Sequence, residues 1–120
     1  MKVIVAGSRE FNNYRLLRDT LDRLLAGLGD VEIVSGCARG ADRLGERYAI
    51  ERSHAIKRFP ADWAEHGRAA GPIRNNEMAK YADMLVAFWD GKSKGTHHMI
   101  KAMRKAGKRV EVKMMNGETA

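Results

Sequence analysis

Apolar residues run along this chain in two alternating rhythms. Five short runs rich in β-branched and aromatic residues read as strands: KVIVA (2–6), VEIVS (31–35), AIKRF (55–59), DMLVAFW (83–89) and RVEVKM (109–114). The first, second and fourth are nearly continuous, as in strands covered on both faces of a parallel sheet. AIKRF and RVEVK alternate apolar with polar, which suits peripheral strands. Between the runs the period changes to three and four. Leu17, Leu21, Leu24, Leu25 and Leu28 predict a helix over 14–28, and Ala41, Leu44, Gly45, Tyr48 and Ala49 one over 41–52. Gly45 would let that helix lie close to the sheet.

A third helix is predicted to begin at Pro72, a position proline tolerates, with Ile73, Met78, Ala79 and Ala82 as its apolar side. Met99, Ile100, Met103 and Ala106 mark a fourth, ended by Gly107. The methionine stripe reads as core. Strand alternating with helix predicts an α/β fold: a single Rossmann-like domain over 1–115, with an open five-stranded, mostly parallel sheet and helices on both faces. Residues 116–120 (NGETA) read as a loose tail, and PADWAEHGRAAG (60–71) as a long irregular binding loop.

Composition narrows the setting. With 120 residues there is room for one core, and no apolar run approaches the roughly 20 residues of a membrane helix. The N-terminal run MKVIVA is cut off by Gly7-Ser8-Arg9, too short for a signal peptide's apolar segment. A single cysteine makes no internal disulfide, which suits a reducing cytoplasm. The net charge of +7 suits anionic partners, although Arg15, Arg18, Arg23, Lys101, Arg104, Lys105, Lys108 and Arg109 read as solvated helix faces and C-terminal surface.

Candidate chemistry gathers where the strands end. In open α/β sheets ligands sit beyond the carboxyl ends of the strands. Those ends carry GSREF (7–11), SGCARGAD (35–42) and DGKSKGT (90–96), each a glycine-bearing turn leading to a helix. Arg9, Arg39, Arg74, Lys92 and Lys94 fall in these turns or at helix starts, where the dipole disfavours cations, and together they imply a compensating anion. The dinucleotide fingerprint G-x-G-x-x-G is absent, and GKS (91–93) lacks the earlier P-loop glycine, Val86 standing in its place. Neither a metal site nor a cofactor is expected: His97 and His98 are adjacent, and no spaced ligand cluster accompanies them. Ser35, His98 and Asp42 lack the elbow of a hydrolase triad. Trp63 and Trp89 are candidates to stack on a base or ribose. Cys37, a thiol at a helix start among arginines, is expected to have a lowered pKa and to line the cradle as a small residue.

KVIVAGSREF, IVSGCARGADRLGERYA, FPADW, GPIRNNEMA and LVAFWDGKSKGTHHMI resemble, in order, the motifs of the cpYpsA-related (YspA) branch of the SLOG superfamily over residues 2–112. The resemblance implies a Rossmann-like domain that binds nucleotides or nucleotide-derived signals. It also implies homo-oligomers. Relatives include phosphoribohydrolases, a DNA-processing protein that binds single-stranded DNA, and sensors of bacterial immunity. Against the phosphoribohydrolase run P-G-G-x-G-T-x-x-E, Gly95-Thr96 match, but Met99 stands at the catalytic glutamate. Binding without cleavage is therefore expected, of an ADP-ribose-type or cyclic nucleotide, by a sensor or sequestering protein. If cleavage occurs, Arg74 and Glu77 are the catalytic candidates, with Asp90 as a further carboxylate. The alternatives are a nucleotide N-glycosidase or a single-strand binder. The expected site comprises Gly7, Ser8 and Arg9 as one wall, and Ser35, Gly36, Cys37, Arg39, Gly40 and Asp42 as the central cradle. Arg74, Asn75 and Glu77 would contact ribose or phosphate, and Asp90, Gly91, Lys92, Lys94, Gly95 and Thr96 would close the far side.

Overall fold

A computed structural model describes residues 1–115, so the tail expected at 116–120 lies outside the described residues. Among them, five strands form one sheet: β1 (Lys2–Gly7), β2 (Glu32–Ser35), β3 (Ala55–Arg58), β4 (Met84–Trp89) and β5 (Arg109–Met114). Every pairing is parallel and the order is β3-β2-β1-β4-β5. The two alternating runs are the two edges, as their pattern predicts. Strand order reverses between β1 and β4, the two central strands.

The period-two geometry of strands assigns each apolar residue to one of two cores. Val3, Val5, Ile33, Val86 and Phe88 face one side, under α1 (Tyr14–Leu24) and α2 (Ala41–Glu51). Ile4, Ala6, Val34, Leu85 and Ala87 face the other, under α4 (Ala70–Tyr81) and α5 (Lys94–Lys105). Leu17 and Leu21 seal the first core, and Met78, Met99 and Met103 the second. Each such side chain contributes roughly 1.5–3 kcal/mol on burial. Helices of 11 or 12 residues are marginal alone, so these contacts hold them. Gly45 does bring α2 onto the sheet: a Cβ there would lie 2.8 Å from Val5 Cβ.

Two element boundaries depart from the sequence pattern. The first helix ends at Leu24, not Leu28, because Gly27 takes a left-handed φ of 77°. Leu25 still reaches the core, whereas Leu28 is exposed. The segment 60–71 is not a structureless loop. It holds α3 (Trp63–His66), a 3₁₀ turn (Gly67–Ala69) and the start of α4 at Ala70, two residues before Pro72. Pro72 sits in the first turn, where the missing N–H has no intrahelical partner to lose. Asp62 caps α3 by accepting from the Glu65 N–H at 3.1 Å.

Candidate functional site

The carboxyl ends of β1 and β2, the first turns of α4 and the start of α5 enclose a cavity of about 300 Å³. Its lining includes Gly7, Arg9, Gly36, Asp42, Arg74, Asn75, Lys94, Gly95 and Thr96, all expected from the sequence. It also includes Ala38, Gly71, Pro72, Met78, Ser93, His98 and Met99, and Trp63 borders it. A second groove of about 320 Å³ adjoins it, sharing Arg9, Gly36, Ala38, Trp63 and Arg74 and adding Cys37, Arg39, Pro60 and Ala61.

Local sequence explains the geometry. In SGCARG, Cys37 adopts a left-handed φ of 65°, and its N–H donates to Ser35 Oγ at 3.1 Å. Ala38 N–H then donates to the Asp42 carboxylate at 3.2 Å. Asp42 lies in the first turn of α2, nine-tenths buried, and closes the turn from below. From α4, Arg74 reaches across to donate to the Gly36 carbonyl. Gly36 is fixed by this approach: a Cβ would stand 2.7 Å from Arg74 Nη1 and 2.8 Å from Asp42 Oδ2. Gly40, at φ 79°, has no room for a Cβ beside the carbonyls of Ser8 and Arg9.

Arg74 also sets the next link. Its Nε, which can only donate, is 3.0 Å from Asn75 Oδ1, so the amide nitrogen of Asn75 faces the other way. That nitrogen donates to the Gly95 carbonyl at 3.2 Å and stands 3.2 Å from His98 Nδ1. Nδ1 must then accept, which in the neutral ring leaves the hydrogen on Nε2 as a donor for something else. Ser93 caps α5, accepting from Thr96 N–H.

Burial raises the Asp42 carboxyl to about 6, against the lowering influence of the Ala38 N–H, Arg74 and the Gly36 N–H. Glu46 adds to the rise. A carboxyl so perturbed, on a cavity wall, is a usual companion of binding and proton-transfer sites.

Other expected residues stand elsewhere. Ser8 is buried and structural: its N–H donates to the Phe88 carbonyl at 2.9 Å and its Oγ accepts from Asp90 N–H at 3.1 Å. Ser35 Oγ donates to Glu46 at 2.7 Å, so it forms no triad with Asp42 and His98. Glu77 is exposed and lines neither cavity, lying about 200° round the helix from Asn75. Asp90 is also outside both, spending its carboxylate on the N–H groups of Lys92 and Ser93, which lower its pKa. Gly40, Gly91 and Lys92 line neither. Arg39 lines the outer groove only, paired with Glu10 at 2.7 Å. The Cys37 thiol is shifted up rather than down, by burial first and then by Glu46. Trp89 stacks on His97, with ring centroids 5.6 Å apart, outside the cavity.

Among the described residues no group of three or more His, Cys, Asp or Glu is placed to hold a metal ion. None of their helices is long and apolar enough to cross a membrane.

A family model, YAcAr (YspA, cpYpsA-related SLOG family), matches residues 1–66. The Gene 61 protein of Mycobacterium phage D29 is 37% identical over 113 residues, covering 88% of this chain and 90% of its own. This chain belongs to the YspA, cpYpsA-related SLOG family. The matched stretch of this SLOG chain includes β1, the SGCARG turn and α2, and so the β1 and β2 side of the cavity wall but not the α4 and α5 side. The fold is shared with DNA processing protein A from Helicobacter pylori, studied for its single-stranded DNA binding mode. The TM-score is 0.69 at 23% identity, over 93% of this chain and 64% of that one. DNA processing protein A from Streptococcus pneumoniae aligns with TM-score 0.72 at 18% identity, over 92% and 49%. The SLOG chain thus spans about half to two thirds of these solved chains.

Proposed function

We propose that this SLOG domain binds a phosphate-bearing nucleotide, or a nucleotide-derived signal, in the cavity between α2, α4 and α5. One observation carries this reading. Three cations, Arg9 from the turn after β1, Arg74 from α4 and Lys94 from α5, line a cavity whose walls also offer Asn75, His98 and apolar Met78. Three cations converge on a lining whose single carboxylate is the buried Asp42, which favours an anionic ligand, and the amide and imidazole suit sugar hydroxyls or a base edge. Trp63, half exposed at the mouth, offers an aromatic face.

The domain retains its ligand rather than cleaving it. Met99, at the position of the hydrolases' glutamate, is 2% exposed and belongs to the core, and neither Glu77 nor Asp90 lines the cavity. Asp42 does, but backbone N–H bonding and Arg74 engage it as a structural anion.

The deciding experiment is a melting-temperature screen with mononucleotides, cyclic nucleotides and ADP-ribose, followed by chromatography of the recovered ligand. A shift of several degrees with intact ligand, abolished by Arg74→Gln, is the expected result. Release of a free base would replace the binder with an N-glycosidase.

A second reading, single-stranded DNA binding, is favoured by the solved neighbours named for DNA processing, one of them for its single-stranded DNA binding mode. It competes for the same cations and is tested by salt dependence below.

A further inference from the structure

The cavity and its adjoining groove are similar in size but differ in chemistry. The inner cavity mixes amide, imidazole, hydroxyl and carboxyl groups with methionine and proline. The outer groove has three arginines, Arg9, Arg39 and Arg74, and no carboxylate in its lining. Two of these, with Trp63, stand at the waist that joins the chambers. Each chamber lies near the lower bound of roughly 300–1,000 Å³ typical of ligand pockets. Together they fit a ligand of two units.

We propose that the outer groove is a second anion subsite, so that the ligand is a small molecule of two phosphate-linked units. This rests on the nucleotide-binding reading above. A nucleoside occupies the inner cavity, where Asn75 and His98 meet it. The linking phosphates pass the waist between Arg9 and Arg74, and the second sugar or nucleoside lies in the groove against Pro60 and Trp63. Arg39 is free to follow. Its pairing with Glu10 joins side chains 70% and 77% exposed, a surface contact weak enough to exchange for a phosphate. A charge-assisted bond from guanidinium to phosphate is the stronger interaction.

Calorimetric titration with AMP, ADP-ribose and a ten-nucleotide single strand tests the proposal. ADP-ribose should bind at least about tenfold more tightly than AMP, and Arg39→Gln should collapse that ratio toward one. Arg39 is exposed, so the variant folds. If AMP and ADP-ribose bind equally, or the ratio survives Arg39→Gln, the outer subsite is wrong while the nucleotide reading stands. A single strand that outbinds ADP-ribose overturns the small-ligand assignment, because the groove then carries a chain. If none of the three binds, both this inference and the reading beneath it fail.

Discussion

Asp42 is costly where it stands. Between its ordinary value of 3.8 and its raised value of about 6, the folded chain holds a proton that the unfolded chain releases. Stability therefore falls as pH climbs through that window and stays at the lower level above it. A shift of this size is worth about 3 kcal/mol. Asp42→Asn keeps an oxygen to accept from Ala38 but carries no charge. Its melting temperature should match or exceed the parent's at pH 7.5, with the gap narrowing as pH falls below 6 and closing only below the unfolded value of 3.8. Parallel pH profiles for the two proteins would mean Asp42 is not the group at issue. The charges that bear on it are Arg74, which opposes the rise, and Glu46, which reinforces it.

Gly36 is the second residue whose role is clear at this scale. Alanine there presses on Arg74 Nη1 and Asp42 Oδ2 together, and the guanidinium must leave the Gly36 carbonyl. Gly36→Ala should lower nucleotide affinity by about tenfold or more, as expected for loss of a charge-assisted contact. Calorimetry on the refolded variant, with its melting curve as control, measures this. The sequence pattern treats both glycines of SGCARG as one cradle, whereas the structure makes them two different devices, with Gly36 on the cavity wall and Gly40 outside it. One admits an arginine from another helix, and the other lets the turn rest on the Ser8 and Arg9 carbonyls. That distinction depends on contacts 30 or more residues away, which no local pattern encodes.

At the scale of elements, the site depends on how α4 meets α5. Asn75 ties them, taking a bond from Arg74 and giving one to Gly95. Asn75→Ala leaves the Gly95 carbonyl without the Asn75 amide, at a cost of about 1–3 kcal/mol, and frees His98 to turn. Chemical denaturation should show that loss with an unchanged m-value. The strands and four of the helices were legible because two periods alternate cleanly. The helical content of 60–71 was missed because its glycines and proline mimic a loop. Its signal was present: Asp62 stands three residues before Glu65, the spacing of an N-terminal cap. His98 was set aside with His97 as an improbable metal pair. Its spacing of three residues from Gly95 already put it on the side of the helix that lines the cavity. Glu77 was misplaced for the converse reason, since sharing a helix start with Asn75 does not mean sharing a face.

The whole molecule carries +7, and only part of that charge is in the cleft. Arg18, Arg47, Arg52, Arg58 and Arg109 pair with neighbouring carboxylates, while Lys101, Arg104 and Lys105 ride on α5. Single-strand binders stack bases on several aromatic rings. Of the eight aromatic residues here, Phe11, Tyr48 and Phe88 are buried, and Trp63 borders the cleft. A strand entering the cleft thus meets one exposed ring and the three arginines of the outer groove. Each phosphate neutralised on a single strand contributes a slope of about −0.7 to the logarithm of affinity against that of salt, so three predict about −2. An oligonucleotide should show that slope and be displaced by a small nucleotide, because both use Arg9 and Arg74. A slope of about −4 or steeper, indifferent to nucleotide, would require five or six phosphates. The cleft's arginines and Lys94 cannot supply that number, and the strand would then lie across the α5 cations instead.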